Sequence, residues 1–143
     1  MSTRAMVFVV DKHGVNLRAC MYVHGDGGPD WLGLKIAQFC EGRTVCNGHS
    51  DTDMESNGMD NFAAQLVVRL GCEMAEALKK TPALFPGWLY LMGEDSRDQR
   101  EEWNYWLHEV DGVVHMTLCS STDEVYEGPA SELTAETIAE IES

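Results

Sequence analysis

The chain has 143 residues, 44% of them hydrophobic and four of them tryptophan, enough apolar material for one domain with its own core and too much for a disordered chain. Ten basic residues against 24 acidic ones give a net charge of −14, which disfavours a polymeric nucleic acid partner, because such binding depends on neutralising many phosphates. No apolar run reaches the ~18 residues of a membrane-spanning helix, so no membrane partner is expected.

The segments RAMVFVV (4–10) and VNLRACMYVH (15–24) flank DKHG and read as a β-hairpin. Pairing Val10 with Val15 would set Arg4 opposite Met21 and Thr3 opposite Tyr22, a register that a one-residue slip would change. The opening MSTRAMVFVV is too short in apolar residues for a signal sequence. After the turn HGDGGPD, Pro29 or Asp30 starts a helix through about Cys40, with Leu32, Ile36 and Phe39 as its apolar stripe.

Residues 42–59 are polar and glycine-punctuated, which reads as a long loop. A second helix over 60–80 aligns Phe62, Leu66, Leu70, Met74 and Leu78, with Gly71 as a weak point. WLYLM (88–92) reads as a buried strand and EDSRDQREE as a solvated loop. EWNYWLHEV (102–110) and VVHMTLCS (113–120) flank Asp111-Gly112, a two-residue hairpin signal.

The order ββααβββ predicts an α+β fold: an antiparallel sheet of about five strands with two helices on one face. Residues 1–130 form the single domain expected, and 131–143 an acidic C-terminal helix or tail. The five cysteines are odd in number and have no CxxC spacing, so free thiols and a cytoplasmic location are expected.

The turn at 24–30 carries the most chemistry. Its glycines can free backbone N–H groups for an anion, and a helix starts beside them. His24 can donate or accept a proton, and Asp26 can accept from a hydroxyl or orient the imidazole. The same residues also serve as ordinary turn and helix-capping chemistry, and both readings stand at this point.

In the second hairpin, Trp103, Tyr105, Leu107, Val114, Met116 and Leu118 should share the core face, with Trp106, His108, His115 and Thr117 on the other. The paired histidines would suit half a metal site or a stacking platform, but a subunit contact or solvated surface is the commoner use of such a face. The acids of HSDTDME (49–55) lack EF-hand spacing and read as a solvated loop. No catalytic constellation, metal centre or cofactor motif is expected, since no GxSxG, P-loop, HExxH or Rossmann pattern occurs.

The start MSTRA together with Y-x-H-x-D-G-x-P-x-x-x-G resembles a family of small phage and prophage proteins that begin M-S/G-T-R and carry a Y-R-H-x-D-G-Y-P turn. The matching residues are Thr3, Arg4, Tyr22, His24, Asp26, Gly27, Pro29, Gly33 and Phe39, and the resemblance covers roughly residues 1–75. Val23 replaces the family arginine and Gly28 the family tyrosine, so a cation and a stacking ring are missing.

The resemblance extends to phage sponge proteins that sequester cyclic-nucleotide immune signals, the anti-CBASS type. It implies a ligand site at Thr3, Arg4, Tyr22, His24, Asp26 and Gly27, a cyclic dinucleotide or related ligand held without turnover, a homo-oligomer, and action in the host cytoplasm. Two alternatives are a protein-targeting inhibitor acting through its acidic surface and a nucleotide phosphodiesterase using His24.

Overall fold

The computed structural model describes residues 3–11, 14, 16–48, 52, 54–77, 79, 89–93 and 101–142. The first strand, β1 (Ala5–Val10, AMVFVV), is an unbroken apolar run in which every residue is buried. A strand of that kind has no solvated face and belongs in the middle of a sheet. It lies between β2 (Leu17–Val23), its antiparallel partner, and β6 (Trp103–Val110), which runs parallel to it. The full order is β5 (Leu89–Leu91), β2, β1, β6, β7 (Val113–Ser120), β8 (Glu124–Pro129).

The fold is α+β, and among the described residues its main sheet has six strands with one parallel pair, where a purely antiparallel sheet of about five was expected. The parallel pair arises because the chain leaves the first hairpin, builds its two main helices, and returns on the free side of β1. A long crossover of this kind permits parallel pairing, whereas a tight hairpin forces antiparallel pairing.

The first hairpin pairs Ala5 with Val23 and Val7 with Met21, with an irregularity at Val9/Val10. This differs by three residues from the register of a minimal turn. The connection is bracketed by Asp11 and Asn16: the Asp11 N–H donates to the Asn16 carbonyl (2.9 Å), and the Asn16 side-chain amide donates to the Asp11 carboxylate (2.8 Å). The bracket widens the turn, and continuing the Ala5–Val23 pairing by one residue sets Arg4 across from His24.

Odd residues of β1 face the helices. Ala5, Val7 and Val9 join Met21, Val23, Tyr105, Leu107, Met116 and Leu118 in the main core. Against them pack α1 (Leu34–Cys40), entered through a wide π turn at Pro29–Gly33, and α2 (Gly58–Ala77). Phe62, Leu66, Leu70 and Met74 form the buried stripe of α2, as its period predicts; Leu78 lies outside the described residues. Met6, Phe8 and Cys20 make a second, smaller cluster on the opposite face, where Phe8 stacks on Trp106 at 4.1 Å between ring centroids.

Three further differences follow from tertiary contacts. The polar stretch 42–59 contains two short parallel strands, β3 (Thr44–Cys46) and β4 (Glu55–Asn57), tied to the main body where the Val45 N–H donates to the Gly112 carbonyl (2.7 Å). Among the described residues strand β5 is an edge, paired with β2 alone, and Tyr90 is 45% and Leu91 70% exposed where a buried strand was expected. Strand β8, unforeseen in a polar sequence, forms the other edge.

The acidic C-terminal segment forms α3 (Ala135–Ile141), capped where the Thr137 N–H donates to the Thr134 side chain. It docks through Leu133 and Ile138, both in the main core. No helix among the described residues is long and apolar enough to cross a membrane.

Candidate functional site

The ends of β1 and β2 meet at the glycine turn, and the local chain explains why. Gly27 donates its N–H to the Thr3 carbonyl (2.9 Å), and its own carbonyl accepts from the Tyr105 hydroxyl (2.8 Å). A Cβ at Gly27 would lie 2.6 Å from the Ala5 Cβ, so only glycine lets the two segments approach. Burial, and secondarily the Asp30 charge, push the Tyr105 hydroxyl well above the usual phenol range. It therefore remains protonated and able to donate.

Just before this contact, Asp26 takes a left-handed conformation with φ 56°, which aspartate tolerates better than most residues. Just after it, the Gly28 carbonyl accepts from the Leu32 N–H (2.9 Å), and Pro29 starts the wide turn into α1.

Both polar backbone groups of Gly27 are thus used by the protein itself. Its N–H is turned into the fold, against the expectation of a glycine donor aimed at an anion. Thr3 contributes its carbonyl to the same junction. Of the other matched residues, Gly33 has room for no larger residue beside Leu133 without movement, since a Cβ would sit 3.0 Å from that side chain. Phe39 is buried beneath the Arg43 guanidinium (4.1 Å to the ring centroid). Much of the motif therefore builds the junction between hairpin and helix.

What remains on the surface is a smaller group. The Tyr22 hydroxyl and His24 Nδ1 are 3.0 Å apart, and their rings meet edge-on. If the hydroxyl donates, the neutral imidazole of the exposed His24 carries its proton on Nε2, the nitrogen that Tyr22 does not engage. Tyr90 of β5 pairs with Tyr22 across the strands, with ring centroids 5.5 Å apart. Arg4, on the same face as Tyr22 by strand alternation, has its guanidinium Nε 3.6 Å from a carboxylate oxygen of Glu101 and is 54% exposed. This leaves donors of its planar fork facing solvent. Asp26 is exposed at the turn tip.

Arg4, Tyr22 and His24 are therefore brought together, with Asp26 at the margin, while Thr3 and Gly27 serve the scaffold. Sequence reasoning missed Tyr90 and Glu101. The alternation in WLYLM marks Tyr90 as opposite in facing to Leu89 and Leu91, but only the strand order shows that it meets Tyr22.

On the second hairpin the expected register holds, with His108 opposite His115 and Trp106 opposite Thr117. The two imidazoles lie 5.9 Å apart. Burial first, and the neighbouring His115 second, lower the His108 pKa from its ordinary value. Among the described residues, no group of three or more His, Cys, Asp or Glu side chains is placed to hold a metal ion. His49, Asp51 and Asp53 of the acidic loop lie outside the described residues.

Comparison with protein-family models, with curated proteins and with solved structures found no match. Fold and geometry define the chain as an α+β protein built on a six-stranded mixed sheet, with a tyrosine–histidine–arginine group at one end of its central strands.

Proposed function

We propose that the chain is a binding protein that sequesters a small nucleotide signal, a cyclic dinucleotide or a related species, without turning it over. In this reading it is a phage-type immune-evasion protein working as a homo-oligomer in the host cytoplasm. The observation that carries the reading is the convergence of Tyr22, Tyr90, His24 and Arg4 on one sheet face. Paired tyrosine rings suit a nucleobase, and an exposed guanidinium beside an exposed imidazole suits a phosphate. The paired sequence motifs agree with a ligand of this class.

A thermal-shift panel of cyclic mono-, di- and trinucleotides and cyclic ADP-ribose forms tests it. A ligand at about 100 times its Kd adds about 2.7 kcal/mol of stability, which for a domain of this length raises Tm by roughly 5–10 °C. The shift should vanish in His24→Ala and Arg4→Ala, and mass spectrometry should recover the ligand intact. Turnover would replace sequestration with phosphodiesterase chemistry at His24. Light scattering that shows only a 15.9 kDa monomer would remove the oligomer from the proposal.

A second reading is favoured by a separate observation. Residues 101–143 contain no lysine or arginine, and they supply Glu124 and Glu127 to the β8 edge and Glu136 and Glu140 to α3. This one-sided charge suits a protein-targeting inhibitor that occupies a basic partner. A nucleotide panel without effect, together with a partner captured at low salt and lost at high salt, would favour it.

A further inference from the structure

An open groove of about 320 Å³ runs between the N-terminal half of α2 and the β2–β5 edge. Its wall is apolar and built from small residues: Ala19 of β2, Ala63, Ala64 and Val67 of α2, and Leu91 of β5. Three alanines line it where larger side chains would have closed the gap, and Leu91 is left 70% exposed beside it. An apolar cavity of about 150 Å³ holds benzene, so this groove has room for roughly a two-ring hydrocarbon.

The polar rim consists of Arg18 and Asp60. Their closest atoms, Nε and Oδ1, are 3.7 Å apart, beyond hydrogen-bond length, whereas Arg69 Nε meets Glu73 at 3.0 Å. The Arg18 side chain makes no hydrogen bond among the described residues and is 44% exposed. Asp60 sits in the first turn of α2 and is 73% exposed. Arg18 and Asp60 thus form a long ion pair that leaves hydrogen-bond donors of the guanidinium fork unused, and that fork matches a carboxylate in two-point geometry.

We infer that this groove binds a small amphipathic carboxylate, its hydrocarbon body against the alanine wall and its carboxylate on Arg18. Leu91 pairs with Met21 on the helix side of the sheet, opposite the face that carries Tyr22 and Tyr90, so this is a separate site from the tyrosine–histidine–arginine group.

Three probes with one body and different heads test the inference by calorimetry: 1-naphthoate, 1-naphthalenemethanol and 1-naphthylmethylamine. The carboxylate should bind at least about tenfold tighter than the alcohol, and the amine should bind no better than the alcohol. Methyl NMR shifts should be confined to Ala19, Ala63, Ala64, Val67 and Leu91. Arg18→Gln should reduce the carboxylate to the affinity of the alcohol. Ala64→Phe, at an exposed helix position, should fill the groove and abolish binding of all three, with an unchanged circular dichroism spectrum.

Because the chain carries a net charge of −14, a preference for the anion runs against the overall field and can come only from the local cation. Equal affinity for acid and alcohol, a preference for the amine, no binding at millimolar naphthoate, or binding that survives Ala64→Phe would each overturn the inference.

Discussion

The Tyr105 hydroxyl donates to the Gly27 carbonyl across 78 residues of sequence, and so ties the second hairpin to the glycine turn of the first. Tyr105 is fully buried, and Gly27 has no space beside it. Tyr105→Phe removes the donor and leaves a buried carbonyl unpaired, at a cost of about 1–3 kcal/mol. Thermal unfolding should show the loss as a Tm lower by roughly 3–10 °C. An unchanged Tm would mean that water replaces the hydroxyl.

Two glycines should respond to alanine in opposite directions. At Gly27 the new Cβ would lie 2.6 Å from Ala5 and 3.0 Å from the Thr3 carbonyl, contacts that only backbone movement relieves. Gly27→Ala should therefore destabilise by about 1–3 kcal/mol. Gly71, inside α2, has nothing within 4 Å of its would-be Cβ. Gly71→Ala should stabilise by about 0.5–1 kcal/mol, since helix propensity rises and the unfolded chain loses freedom. Urea midpoints of the two variants on either side of the wild type would confirm the assignment.

Arg4 and Glu101 form an ion pair with one partner half-exposed, so solvent screening limits their coupling to under about 1 kcal/mol. Arg4→Ala should accordingly cost little stability, which separates any loss of ligand binding from unfolding. A double-mutant cycle with Glu101→Gln measures the coupling directly. A value of several kcal/mol would make Arg4 a structural residue first.

His108 has its pKa lowered in the folded protein, by burial and by the facing His115. A histidine with a depressed folded pKa contributes stability that is complete above the ordinary value near 6.5 and is lost as pH falls below it, because the unfolded chain takes up the proton more readily. The Tm should thus fall between pH 7 and 5. In His115→Gln one of the two causes disappears, so NMR titration should find His108 nearer its ordinary value, and the acid loss of stability should shrink. An unshifted His108 titration in that variant would contradict the coupling.

Cys40 gives the opposite pH signature. Burial pushes its thiol from 9.0 up to about 12, partly offset by Arg43. The unfolded thiol ionises first, so stability present below pH 9 is lost as pH rises from there toward about 12. Cys40→Ala should flatten this alkaline limb in urea titrations, even if its cavity lowers stability at neutral pH. An identical slope would mean that another group governs the limb.

The sequence by itself determined the elements whose pattern is local. The four apolar residues at helical spacing place α2, and the Asp111-Gly112 turn sets the second hairpin in register because its two residues accept positive φ, 50° and 81°. Alternation along 103–118 then sorts core residues from surface ones without reference to the rest of the chain. The first hairpin resisted, because the Asp11–Asn16 bracket couples a backbone bond to a side-chain bond that no turn pattern announces.

Only the tertiary structure decided which strands are neighbours. The parallel β1–β6 pair, the exposure of β5, the capture of β8 as an edge and the docking of α3 all depend on contacts between distant segments. The same applies to the site. Tyr22, His24 and Arg4 were legible as a cluster near one turn, but Tyr90 and Glu101 arrive from more than 60 residues away, and Gly27 changes role because Tyr105 claims its carbonyl. Hydrophobic periodicity fixes which face of an element is buried. It carries no information about which other element covers that face, and that choice is made by side-chain fit and backbone hydrogen bonding in the assembled sheet.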